Sequence, residues 1–268
     1  MRRLISILAL LALLSATAGA KIEKIQLIGA EELSLEAENI LSLPGIGLSM
    51  RTNGDSIILL DDPRLSSFSF SEPNNARSMV VVRSGAYAAE GDSIYRIATP
   101  EAEHRFTGRL DNEDFMLYPA TDSTFFACTA DEDFSCVYEI FPEDGTCEPL
   151  ISVNAPILRI EGNGLTTMMW ADDTIYRLHP EGYLENIYQA DNITGSALTP
   201  IGMMIATTDG VYWLTGRDKG AKIIKEPVKG IWWDNSDALY YLTDTGNLIA
   251  VTGMVATFNE NEAKTKKH

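Results

Sequence analysis

The sequence predicts an all-β fold built from repeats, each contributing about four short antiparallel strands. One phrase recurs: usually Asp, then any residue, an aliphatic residue, usually Tyr, any residue, and Leu or Ile. Its copies are DSIILL, DSIYRI, SCVYEI, DTIYRL, DGVYWL and DALYYL, which begin 37, 43, 38, 36 and 28 residues apart. Strand-rich repeats with a period of about 40 residues are typical of blades around an axis. We therefore predict a β-propeller of six blades, with five as the alternative because the last unit is short.

The segment ahead of each phrase predicts another strand of the same hairpin. Neighbouring apolar residues such as Met168-Met169 and Trp232-Trp233 precede the phrases, which indicates a strand buried on both faces. Turn residues such as Glu90-Gly91 separate that strand from the phrase. The repeated Asp is interpreted as a turn acceptor and the repeated Tyr as packing between blades.

The N-terminal segment is typical of a signal peptide. Arg2 and Arg3 precede an apolar run from Leu4 to Leu14, and Ala18-Gly19-Ala20 provides small residues for cleavage after Ala20. The run is too short to cross a bilayer, which requires about 20 residues, and no later stretch is long enough. An uncleaved anchor is the alternative interpretation.

The remaining chain is predicted to be exported to the periplasm or the outside of the cell. We expect one propeller domain over residues 21–258 and a disordered polar tail over residues 259–268. A first strand around Ile22 to Ile28 is expected to pair with the terminal unit.

The net charge of −17 and the pI near 4.5 exclude one class of partner. A strongly acidic chain repels phosphate backbones, so nucleic acid is not an expected partner. The charge otherwise favours solubility.

Two of the three cysteines flank an acidic turn. Cys128 and Cys136 lie at equal distances from Glu132, so a hairpin centred there would place them opposite each other. Such a pair has the spacing of a disulfide, and an exported protein meets oxidising conditions. We predict this bond as a structural link and expect Cys147 to be a packed free thiol.

The repeated Asp-x-aliphatic-Tyr-x-aliphatic phrase in an exported chain resembles six-bladed propellers of the TolB-like and NHL-like kind, over about residues 44–251. The chain lacks the Trp-Asp pairs of WD40 blades and the paired glycines of kelch blades. The resemblance implies one of several functions, because that superfamily includes partner-binding modules of the cell envelope, calcium-dependent lactonases and sugar-binding lectins.

Departures from the repeat mark candidate ligand-binding residues. Arg51 and Trp170 differ from the residues at matching positions in other hairpins, and Asp234 stands where other units have Thr or Ala. Asp234 beside Trp233 suggests a polar and aromatic ligand site. The alternative for Trp233 is core packing, because neighbouring units carry large apolar residues at the aligned position.

Catalytic motifs are scarce. The chain has three histidines, His104, His179 and His268, and lacks a Gly-x-Ser-x-Gly elbow or a His-Glu-x-x-His pair. Acidic segments at 61–62, 111–114 and 131–133 offer the oxygen ligands that calcium prefers, without the Asp-x-Asp-x-Asp-Gly spacing of a known loop.

The sequence therefore predicts an exported, non-enzymatic propeller that serves as a binding or scaffold module for a protein or polysaccharide of the cell envelope. The alternative is a calcium-dependent lactonase-like hydrolase with its site in the central channel. No cofactor is expected other than calcium in that alternative, and the oligomeric state stays open.

Overall fold

The computed structural model of the chain consists of four-stranded antiparallel sheets. It describes residues 21–24, 40–43, 47–51, 56–59, 67–69, 78–97, 105–109, 115–130, 133–214, 220–233, 238–256 and 258–259, with side chains from Ser78 onward except at 90, 97, 105–109 and 130. Within these ranges, 24 strands form six sheets. Five sheets use four strands that are consecutive in the chain, and the sixth has the order β1-β24-β23-β22.

The strands are short and follow one another closely. In chain order they are β1 (Lys21–Lys24), β2 (Ile40–Leu43), β3 (Gly47–Arg51), β4 (Ser56–Leu59), β5 (Ser67–Ser69), β6 (Ser78–Val82), β7 (Gly85–Glu90), β8 (Ser93–Ile97), β9 (Arg105–Arg109), β10 (Phe115–Pro119), β11 (Phe125–Ala130), β12 (Ser135–Phe141), β13 (Thr146–Val153), β14 (Ile157–Gly162), β15 (Thr167–Ala171), β16 (Thr174–Leu178), β17 (Leu184–Gln189), β18 (Ile193–Thr199), β19 (Gly202–Thr207), β20 (Gly210–Leu214), β21 (Ala221–Ile224), β22 (Val228–Trp233), β23 (Ala238–Thr243) and β24 (Leu248–Thr252). A short helical segment follows at 254–256.

The prediction of an all-β chain with four antiparallel strands per unit is confirmed. So is the expected pairing of the N-terminal strand with the terminal unit. Strand β1 pairs antiparallel with β24, and Lys21 lies opposite Thr252. The described strand covers Lys21–Lys24, and the rest of the predicted strand up to Ile28 lies outside the described residues.

The repeated phrase forms the third strand of five sheets but not of the sixth. In the sheet of β14–β17, for example, DTIYRL supplies β16. The last copy, DALYYL, supplies β23, which is the second strand of its sheet. This difference explains its spacing of 28 residues, and it means that the segment Trp232-Trp233 belongs to a first strand and is not equivalent to Met168-Met169.

The chain divides into two compact units. The first unit comprises Met1–Met50, Ile58–Ser66 and Asn192–His268, and the second comprises Arg51–Ile57 and Ser67–Asp191. In the first unit, a buried cluster includes Trp213, Trp233 and Leu239, and Trp213 makes an edge contact with Phe258 at 5.7 Å between ring centroids.

In the second unit, the first strands of three successive sheets lie side by side. Strand β10 contacts both β6 and β14. The Ser78 hydroxyl bonds to both the carbonyl oxygen and the amide of Leu117. At Gly162, an added Cβ would lie 2.5 Å from the Ala120 carbonyl oxygen, so this glycine permits the close approach of β14 to the end of β10.

The predicted disulfide between Cys128 and Cys136 is wrong, and all three cysteines are free. The β11–β12 register places Cys128 opposite Val137 and Cys136 opposite Thr129, one residue away from a hairpin centred on Glu132. Because successive side chains of a strand point to opposite faces, the two thiols lie on opposite faces of the sheet. Cys147, expected to be packed, is exposed on β13.

Several predictions fall outside the described residues. The signal peptide at residues 1–20 and the tail beyond position 259 stay predictions, as does the single domain over residues 21–258. Within the part of the chain that the structure describes, no helix is both long and apolar enough to cross a membrane.

Candidate functional site

One end of the second unit combines exposed apolar side chains with acidic turns. We call it the phrase end. The first strands β6, β10 and β14 begin there, and the turns at 91–92, 133–134 and 172–173 lie there, just before the strands β8, β12 and β16 that carry the repeated phrase. The opposite end carries the turns at 83–84, 120–124 and 163–166. Backbone bonds from the Arg83 amide to Asp122 and from the Gly164 amide to Ala120 hold the turns of the opposite end together. The first strands therefore run in the same direction, and their phrase ends coincide.

Two aliphatic side chains are exposed on adjacent first strands at the phrase end. Met116 on β10 is 41% exposed and Leu158 on β14 is 47% exposed. Tyr118, which lies on the same face of β10 as Met116, donates a hydrogen bond from its hydroxyl to the Leu158 carbonyl oxygen at 3.1 Å. Burial raises the pKa of the Tyr118 hydroxyl, with a further upward contribution from Cys128. The hydroxyl therefore stays protonated and acts as the donor.

A β-bulge places Leu158 in its exposed position. The β14–β15 register shifts between Ile157 and Arg159, so Leu158 is the additional residue. The same shift occurs in the first unit on β18 and β22, where the corresponding residues are Thr194 and Lys229. The bulge is shared by three of the six first strands, and among these three only β14 has a large apolar residue at the bulge.

Polar contacts fix the backbone around the exposed pair. The Ser135 hydroxyl donates to the Ala155 carbonyl oxygen and accepts from the Ile157 amide, both at 2.9 Å. The Asp172 amide donates to the Pro156 carbonyl oxygen at 3.3 Å. These bonds tie the segment entering β14 to the start of β12 and to the β15–β16 turn. The phrase end is therefore preorganised, which lowers the entropic cost of binding.

A buried ion pair follows the bulge on β14. The Arg159 guanidinium donates to Glu161 Oε1 from Nε at 2.9 Å and from Nη2 at 2.6 Å. Only 21% of the Arg159 side chain and 11% of the Glu161 side chain are exposed. At the bulge-aligned positions, the first unit has Gly195 with Ala197 and Gly230 with Trp232. The pair is thus a departure from the residues at those positions of the first unit.

Of the four residues predicted to bind a ligand, the structure places Trp170 at the phrase end. Trp170 lies opposite Arg159 in the β14–β15 register, and its indole Nε1 donates to the Asp172 carbonyl oxygen at 2.9 Å. This bond supports a turn in which Asp172 has a φ of 54°. Its role is to hold the backbone of that turn.

Of the other three residues, the structure describes the surroundings of Trp233 alone. Trp233 is 7% exposed and packs in the first unit's core, which agrees with the packing alternative. Arg51 ends β3, but its side chain lies outside the described residues, as does all of Asp234. Their proposed ligand-binding role stays a prediction.

Sequence reasoning missed Met116, Leu158 and the Arg159–Glu161 pair because it aligned only the hairpin around the phrase. Aligning the first strands would have found most of them. ILRIEG, ITGSAL and VKGIWW run in parallel from Ile157, Ile193 and Val228. Only the first has a large apolar residue at its second position and charges at its third and fifth.

The repeated Asp has the structural role that the sequence suggested, with different partners. Asp209 accepts from Lys222 Nζ at 2.8 Å, from the Tyr212 hydroxyl at 2.9 Å and from the Thr207 hydroxyl. Asp173 accepts from Gln189 on the outer strand at 2.9 Å. The carboxylate therefore links the start of the third strand to the fourth strand of its sheet.

Among the described residues, no three His, Cys, Asp or Glu side chains are grouped as a metal site would require. The acidic segment at 111–114 lies outside the described residues, as do Asp61, Asp62, Asp131 and Glu132.

No protein-family model and no curated protein matches the chain. Solved structures do match it. The extracellular domain of a putative hybrid two component system from B. thetaiotaomicron is similar with a TM-score of 0.56 and 16% identity, over 76% of this chain and 30% of that chain. The WD40 domain of Neurospora crassa Pan2 gives a TM-score of 0.57 and 10% identity, over 81% of this chain and 75% of that chain. A chain of a nidogen/laminin complex gives a TM-score of 0.57 and 12% identity, over 78% of this chain and 89% of that chain.

The fold is an all-β β-propeller. Identities of 10–16% show the fold alone. The chain spans 30% and 31% of the length of the two bacterial extracellular domains that it resembles. Membership of the TolB-like or NHL-like kind stays a prediction.

Proposed function

We propose that the chain is an exported, non-enzymatic propeller module that binds a protein partner through the phrase end of its second unit. The observation that carries this proposal is that Met116 and Leu158, two exposed apolar side chains, lie on neighbouring first strands that are joined by the hydrogen bond from Tyr118 to the Leu158 carbonyl oxygen. Single exposed apolar residues are ordinary, whereas neighbouring ones on a rigid surface are typical of interaction sites. Phe134, also 40% exposed, lies in the β11–β12 connection at the same end.

A protein is favoured over a polysaccharide because of side-chain chemistry. Sugar rings stack on flat aromatic faces, whereas Met and Leu bury area against apolar side chains of another protein. Export is supported by the signal-like segment before Lys21 and by the likeness to a domain described as extracellular. One similar structure is that of a protein complex, between nidogen and laminin.

Site-specific crosslinking in intact cells tests the proposal. A photo-crosslinking residue is placed at 116, at 158 or, as a matched control, at 165. Leu165 is 93% exposed in the β14–β15 turn at the opposite end of the same sheet. We expect a protease-sensitive adduct of one defined mass from positions 116 and 158 and none from 165.

Two further outcomes would overturn the proposal. An adduct that is resistant to protease but sensitive to glycosidase would replace the protein partner by a polysaccharide and overturn the proposal. Equal labelling from all three positions, or none from 116 and 158, would also overturn it. N-terminal sequencing of the exported protein tests export, and the expected first residue is Lys21.

The lactonase alternative has a separate test. Thermal unfolding is measured in excess EDTA and then in millimolar calcium, since a ligand at about 100 times its dissociation constant adds about 2.7 kcal/mol of stability. An unchanged midpoint is expected. A clear rise with calcium would instead favour the hydrolase and direct the work to lactone substrates.

A further inference from the structure

The charges in the described turns and strand connections of the phrase end are of one sign. Its described turns and strand connections carry no Lys or Arg. They carry five aspartates: Asp92, Asp133, Asp172, Asp173 and Asp191. Of these, Asp133, Asp172 and Asp191 are exposed. At the opposite end, Arg83 is exposed among the acidic residues, so the charges there are mixed.

The partners of Asp173 leave its charge uncompensated. Its carboxylate accepts from the Thr174 hydroxyl at 2.7 Å and from the Gln189 amide at 2.9 Å, and both donors are neutral. These bonds hold the pKa of Asp173 below its usual value, so the group stays ionised. In the first unit, the equivalent Asp209 is neutralised by Lys222 at 2.8 Å.

We propose that the partner segment bound at the phrase end is basic, with Lys or Arg side chains flanking an apolar anchor that covers Met116 and Leu158. This inference rests on the proposed function and adds the chemistry of the partner to it. Charge complementarity selects this occupant, since apolar contact alone does not discriminate between partners. A second copy of this chain is disfavoured there because each copy carries a net charge of −17.

Peptide binding to the full mature chain tests the inference by fluorescence anisotropy. Three labelled peptides of equal length serve as probes: one alternates Lys with Leu, one replaces each Lys by Glu, and one replaces each Leu by Ser. We expect measurable binding of the Lys/Leu peptide only, with an affinity that falls as salt rises from 50 to 200 mM, because exposed charges are screened.

Matched variants distinguish this site from non-specific attraction to an acidic protein. Asp133→Asn and Asp172→Asn should each lower the affinity for the Lys/Leu peptide by about twofold to fivefold, which is the range expected for the loss of one exposed ion pair. Asp122→Asn, at an exposed position of the opposite end, should leave the affinity unchanged. Leu158→Ala should weaken binding, and Leu165→Ala should not.

Failure of this inference is distinguishable from failure of the proposed function. If crosslinks form at 116 and 158 but salt and the two Asp→Asn changes have no effect on binding, the basic segment is wrong and the protein partner stands. If Asp122→Asn weakens binding as much as Asp172→Asn, the peptide senses net charge alone, and the inference is also overturned. If no crosslink forms at 116 or 158, the proposed function fails first.

Discussion

Removing one residue of the Arg159–Glu161 pair leaves the other charge buried alone. Such a single change should therefore destabilise the protein more than replacing both residues. Both charges are held largely away from water, and each offsets the desolvation of the other. Removing one partner of a buried pair costs about 3–5 kcal/mol, and the residual exposure of Arg159 places Glu161→Ala near about 3 kcal/mol. For a chain of this size, that loss lowers the unfolding midpoint by about 6–12 °C.

The double variant Arg159→Gly with Glu161→Ala is the decisive comparison. It reproduces the Gly195 and Ala197 of the first unit at the same bulge. We expect its loss to be smaller than the sum of the single losses by more than about 1 kcal/mol, because neither charge is left buried alone. Urea unfolding of the four proteins measures this coupling. Additive losses, within about 0.5 kcal/mol, would refute the view that the two side chains act as a pair.

Three other predictions follow from individual residues. A thiol reagent at pH 8 should label Cys147 first and Cys128 only after unfolding, because burial raises the pKa of Cys128 to about 12. If the unfolded protein, without reduction, showed fewer than three reactive thiols, the conclusion that all three cysteines are free would be wrong. Hydrogen bonding from Lys222 lowers the pKa of Asp209 to about 2, below its value of about 3.9 in the unfolded chain. The stabilisation from this bond is therefore fully present above about pH 4 and is lost as the pH falls towards 2. Asp209→Asn should therefore flatten the dependence of the urea midpoint on pH in that window, and an unchanged profile would exclude the role. Gly162→Ala should lower the unfolding midpoint more than Gly195→Ala, because the added methyl would lie 2.5 Å from the Ala120 carbonyl oxygen at position 162 and 3.2 Å from the Ile231 amide nitrogen at position 195. The reverse order would show that β14 can move away from Ala120.

The repeat made the architecture predictable because every unit solves the same packing problem. Paired apolar residues such as Met168 and Met169 are 3% and 0% exposed, as a strand buried on both faces requires. The errors came from offsets of one residue or one strand. A hairpin centre between 132 and 133, instead of on Glu132, separates the cysteines, and a phrase on the second strand misplaces Trp233. Register depends on turn geometry, which composition does not specify.

The candidate site was harder to predict because its residues differ from the repeat in exposure, which the sequence does not state. Leu158 reads as a core residue in the sequence ILRIEG, whereas in the structure it lies at a bulge and is 47% exposed. At the equivalent bulges Thr194 and Lys229 are compatible with water, so a large apolar residue at 158 is not required by the fold. Leu158 is thus exposed on a backbone that is held by the bond from Tyr118 to its carbonyl oxygen and by the bond from the Ile157 amide to Ser135, as the proposed partner site requires.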